Sequence, residues 1–135
     1  MPGPQPTLNA IIVCDYMITD RDTGKRSLLG IFTRIRGQTF PLAHPRLSVY
    51  TRLIDGQGTY AARLELVRLE TMETIGEGTV DITIPDRLQY HEVTFTLSEI
   101  IFPEPGQYEF RLYADNAFLG QQTFAVAQVQ PQGGG

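Results

Sequence analysis

A chain of 135 residues with 11 Lys and Arg against 15 Asp and Glu has a formal net charge of −4, which argues against nucleic acid or anionic lipid as a partner, since both attract concentrated positive charge. No apolar run approaches the roughly 18–20 residues of a membrane helix, and the opening MPGPQPTLNA has neither the basic start nor the apolar middle of a signal peptide. A single cysteine, Cys14, allows no internal disulfide, and the expectation is a cytoplasmic protein with no membrane association.

Residues 1–7 are Pro-rich and are expected as a disordered N-terminal arm, and residues 128–135 as a flexible Gln/Pro/Gly tail. Between them, residues 8–127 hold no repeat, charge block or change of composition, so one domain is expected. The nearly continuous apolar run AIIVCDYM places the first strand at 8–17, and SLLGIFTRI, after the turn Asp22-Thr23-Gly24, places the second at 27–36. In LSVYTRLI, strand 47–54, Leu47, Val49, Thr51 and Leu53 face one side, with Ser48, Tyr50 and Arg52 on the other.

The turn Asp55-Gly56-Gln57-Gly58 leads to strand 59–69, with Tyr60, Ala62, Leu64 and Leu66 inward. Its good helix formers make a helix the alternative, but its neighbours are strand-like. Strand 75–84 directs Val80, Ile82 and Ile84 inward, and strand 91–97 directs Val93, Phe95 and Leu97 inward. Strands 107–114 and 117–126 are joined by Asp115-Asn116, a pair that tolerates the positive φ of a two-residue hairpin. With no crossover helices, these eight strands predict an all-β, antiparallel immunoglobulin-like or C2-like sandwich. The first, second, fifth and sixth strands are expected in one sheet and the other four in its partner.

In FPEPGQYEF, Pro105 and Gly106 turn the chain between sheets and Tyr108 opens the next strand. A Tyr there can bury its ring and donate its hydroxyl to upstream backbone, the tyrosine corner of immunoglobulin-like sandwiches. Together, CDYMITDRDTGKRSLLGIFTRI, HPRLSVYTRL and FPEPGQYEFRLYADNAFLG resemble a family of short, stand-alone bacterial β-sandwich proteins of unknown function. The resemblance implies the fold and carries no activity or catalytic residues.

His44 and His91 lack neighbours at the spacing of a triad or zinc site, and Cys14 reads as a small buried hydrophobe, so the chain is expected to be no enzyme and to need no cofactor. Phe40, Leu42 and Phe102 fall at one end of the sandwich and are the expected contacts for a protein partner or for self-association. Counting alternate loops places Asp20, Asp22, Asp55, Asp86 and Asp115 at the other end, where they are weak candidates for a divalent cation. The expectation is a non-catalytic binding or scaffolding module acting through protein contacts; the alternative is a sandwich binding a cation or small ligand with the Asp-bearing loops.

Overall fold

The structure, a computed structural model, describes residues 4–130. Nine strands follow one another: β1 (Thr7–Thr19), β2 (Arg26–Ile31), β3 (Arg34–Gly37), β4 (Leu42–Ile54), β5 (Gly58–Arg68), β6 (Glu73–Ile84), β7 (His91–Phe102), β8 (Gly106–Ala114) and β9 (Ala117–Gln128). They form a four-stranded sheet in the order β2-β1-β4-β7 and a five-stranded sheet in the order β3-β9-β8-β5-β6. No helix occurs among the described residues, and the segment with helical composition is β5. No helix there is long and apolar enough to cross a membrane.

The period-two pattern fixes the core. Leu47, Val49, Thr51 and Leu53 of β4 are buried, as are Tyr60, Ala62, Leu64 and Leu66 of β5, and the inner faces of both sheets share one hydrophobic cluster. Tyr108 is fully buried, and its hydroxyl donates to the Glu104 carbonyl at 2.6 Å, the corner contact expected from the sequence. Its ring packs among Phe102 at 5.0 Å and Phe124 at 6.0 Å.

Several expectations need correction. The single strand at 27–36 is two strands in different sheets: Gly30 adopts φ +70°, β2 stays beside β1, and β3 crosses to pair parallel with β9. The sheets are therefore not wholly antiparallel. The third expected strand, 47–54, lies with β1 and β7, and the fifth, 75–84, lies with β5, which exchanges the two relative to the expected sheets. β4 starts five residues early and β7 ends five residues late. Inward positions are Leu47 and Leu97 on one side of Pro45 and Glu99, and Ile100 and Phe102 on the other. The φ of +53° at Glu99 breaks the period-two alternation of β7.

The expected arm and tail lie partly outside the described residues, at 1–3 and 131–135. Within the described part, Pro6 is buried and Tyr60 Oη donates to the Pro4 carbonyl at 2.5 Å, while the Pro4 and Gln5 side chains are exposed. β9 runs to Gln128, and Val129 N donates to the Gly37 carbonyl.

The β1–β2 hairpin does not continue as a flat extension of its sheet. Neighbouring strands are about 4.8 Å apart, so three steps would separate β2 from β7 by about 14 Å, yet Arg26 Nη1 lies 2.5 Å from Glu92 Oε1 on β7. Arg26 pairs with Thr19, whereas Glu92 sits in the row of Arg52 and Ala10, nine positions away along β1. The hairpin therefore folds back across the outer face of the four-stranded sheet. This covering accounts for the burial of Cys14, Ser48 and Tyr50, which face away from the shared core.

Candidate functional site

The edges of the two sheets determine where the molecule is open. On one side, the sheets end in β2 and β3, which are consecutive in sequence, so the covalent crossing at Phe32 and Thr33 closes the seam. On the other side they end in β6 and β7, whose connection is the exposed stretch at residues 85–90. Each of these strands pairs on one flank only. Their outer backbone donors and acceptors therefore face away from any ladder among the described residues.

Between β6 and β7 runs a groove of about 740 Å³. Its apolar floor comes from Leu64 and Leu66 of β5, Ile82 of β6, and Val93, Phe95 and Leu97 of β7. The burial of this floor is incomplete: Ile82 and Val93 are 7% exposed and Phe95 is 8%, while Leu47 and Val49 are 0%. Val80, expected inward, is 41% exposed although Ile82 and Ile84 on the same side of β6 are buried. The cause is positional, because β6 is an edge strand and Val80 lines the groove.

Two glycines deepen the groove. Gly76 pairs with Leu66 and Gly78 with Leu64, so both occupy inward positions where neighbouring sequence would supply an apolar side chain. A Cβ at Gly76 would lie 3.7 Å from Leu66 Cβ, and one at Gly78 would lie 3.8 Å from Phe95 Cδ1, which are ordinary contacts. The wall of β6 is thus missing two side chains that the fold could accommodate.

Acidic residues rim the groove. Glu77, Glu92 and Glu99 line it with His91, and no Lys or Arg does so among the described residues. Glu92 is already engaged: the Tyr50 hydroxyl donates to it and Arg26 pairs with it. The Tyr50 hydrogen bond, ahead of the Arg26 contact, holds the Glu92 carboxyl below the usual carboxylate range. Burial, reinforced by that same carboxylate, pushes Tyr50 up to about 12. Glu77 and Glu99 have no ion pair among the described residues.

The residues expected at a partner-binding rim behave differently. Leu42 and Phe102 face each other across β4 and β7, at the same end as Phe40, as expected. Phe102, however, is fully buried between Tyr108 and Phe124, and Phe40 and Leu42 are partly buried against the core. Phe102 plugs the core and offers no surface to a partner.

The aspartates are turn formers. Asp20 Oδ1 accepts from Asp22 N at 2.8 Å and Thr23 N at 3.0 Å, and these backbone hydrogen bonds hold its carboxyl below the usual range. Asp86 Oδ1 accepts from Leu88 N and Asp115 Oδ1 from Ala61 N. Asp55 takes the positive φ of its turn. Because residues 27–36 form two strands, the count of alternate loops shifts by one. The turns with Asp55, Asp86 and Asp115 share an end, and Asp20 and Asp22 sit at the tip of the folded-back hairpin, whose Arg26 reaches Glu92. Among the described residues no three His, Cys, Asp or Glu side chains are grouped to hold a metal.

A smaller pocket of about 270 Å³ lies by the crossing and is lined by Asp15, Phe32, Arg34, Ile35, Arg36 and His44. His44 packs between the Phe32 and Phe102 rings, and its buried Nε2 has no hydrogen-bond partner among the described residues. The lining contains no Ser, Thr or Cys to act as nucleophile.

Residues 9–127 match the model of a family described as "Family of unknown function (DUF6941)", and the chain belongs to that family. No curated protein matches the sequence. Among solved structures, a β-glucosidase from Kluyveromyces marxianus aligns at 14% identity with a TM-score of 0.45, over 73% of this chain and 15% of that one.

Proposed function

We propose that this member of DUF6941 is a non-catalytic, immunoglobulin-like binding module that takes up an extended segment of a partner protein between β6 and β7. The observation that carries the reading is the open seam: an apolar groove of about 740 Å³ bounded by two edge strands. Strand addition uses both parts of such a seam, with backbone hydrogen bonds supplying affinity and pockets for alternate side chains supplying selectivity.

The immunoglobulin-like assignment is supported by the Tyr108 corner and by strand order. In constant-type domains the sheet with strands B and E carries strand D beside E, and strands C, F and G form the other sheet. Here β4 and β7 stand where B and E would, and β5, β8 and β9 where C, F and G would. The position next to β7 that strand D would fill is the groove. The chain passes from β6 to β7 within residues 85–90 and contributes no strand there.

The non-catalytic part of the proposal is supported by the lack of a hydrogen-bonded nucleophile and base in either pocket. A bacterial cytoplasm suits Cys14, a buried free thiol whose ionisation is pushed up by burial first and by Asp15 second.

An NMR titration with an acetylated, amidated heptapeptide alternating Gln and Val tests the reading. Amide shifts and new exchange protection are expected along β6 and β7. Shifts confined to the β1–β2 hairpin, or none at all, would refute it.

A further inference from the structure

We propose that the segment received by the groove is cationic: an extended strand with aliphatic residues at alternate positions and Lys or Arg between them. This rests on the groove reading above and specifies its partner. Inward side chains of such a strand would lie over Leu64, Leu66 and Phe95, in the space left by Gly76 and Gly78. Its other side chains, pointing the opposite way by the period of two, would meet the rim.

That rim is negative. Glu77 and Glu99 are exposed and unpaired among the described residues, and Asp81 continues the outward row of β6. Glu77 also lies directly opposite Glu65, a like-charge pair that a neighbouring cation would relieve. Arg63 contacts Glu65 at 3.2 Å, and among the described residues no cation is paired with Glu77.

A second copy fits poorly. Its own β6 and β7 edges would bring further carboxylates to an acidic rim, and like charges facing one another across an interface disfavour pairing. Its β2 edge begins with Arg26, but that guanidinium is held by Glu92 of its own chain.

Three acetylated, amidated heptapeptides separate the charge claim from the groove claim. All carry Val at the even positions, and the odd positions are Lys, Gln or Glu. Binding is measured by calorimetry to the full chain at low and high salt. From two rim pairs the Lys peptide is expected to bind about tenfold more tightly than the Gln peptide at low salt, with the Glu peptide weakest. Salt at about 1 M should remove most of the difference. Glu77→Gln with Glu99→Gln should erase the preference, bringing the Lys peptide's affinity down to that of the Gln peptide. Equal affinities for the Lys and Gln peptides would overturn the charge inference while leaving the groove reading intact. Failure of all three to bind would overturn both. Oligomers in sedimentation runs of the free chain, dissolved by a charge reversal at β2, would assign the groove to a second copy and also overturn the inference.

Discussion

Replacing Gly78 with Val should stabilise the protein and abolish strand uptake together. The site is permissive: a Cβ there would sit 3.8 Å from Phe95 Cδ1, and the backbone needs no positive φ. Glycine inside a strand costs about 0.5–1 kcal/mol relative to alanine. The added Val side chain would cover Leu64 and Phe95, and half-burying it is worth about 1 kcal/mol at the usual coefficient of about 25 cal/mol per Å². The net gain is thus about 2 kcal/mol, which for a chain of this size raises Tm by about 6–8 °C. Differential scanning calorimetry and urea titration read the stability, and the peptide titration reads the groove. A lowered Tm would mean that the two glycines serve the fold rather than an incoming strand. An unchanged affinity for the Gln–Val peptide would mean that the groove is not where it binds.

Tyr108→Phe keeps the buried ring but removes the bond to Glu104, and should lower stability by about 1–2 kcal/mol in urea. Phe102→Ala should cost about 3–5 kcal/mol, as expected of a core plug rather than a surface anchor. The depressed Glu92 carboxyl contributes stability above its unfolded value of about 4.3 and loses it as pH falls through the lower folded value. Glu92→Gln should therefore flatten the acid limb of stability against pH. Burial and the Glu92 carboxylate push Tyr50 up to about 12, so its contribution is full below its unfolded value of about 10 and is lost as pH rises toward the folded one; Tyr50→Phe should flatten that alkaline limb. Millimolar calcium should leave Tm unchanged, because the Asp20, Asp86 and Asp115 carboxylates are used by backbone amides.

Much of the fold was legible because burial on one face writes itself as alternation. Spacing alone directs Leu47, Val49, Thr51 and Leu53 inward, and likewise Tyr60, Ala62, Leu64 and Leu66, while Tyr108 follows from its place after a Pro-Gly turn. What failed did so for identifiable reasons. Gly30 at φ +70° lets one apolar run serve two sheets, and Glu99 at φ +53° interrupts the alternation that would have extended β7 to Phe102. For the same reason Phe102 falls outside the strand that alternation predicts at 91–97. The groove was not legible because it depends on which strands lack a neighbour, a property of sheet order. The one local hint was the pair Gly76 and Gly78 at inward positions of a strand otherwise rich in Ile and Val.

Amide hydrogen exchange, followed residue by residue with and without the Lys–Val heptapeptide, tests the open seam most directly. In the free chain the outward-facing amides of β6 and β7 should exchange quickly, while those of β4 and β5 that ladder on both flanks should be protected. Addition of the peptide should slow the β6 and β7 edge amides and leave the β1–β2 hairpin unchanged. Edge amides already protected in the free chain, or protection gained only around Leu29 and Ile31, would contradict it.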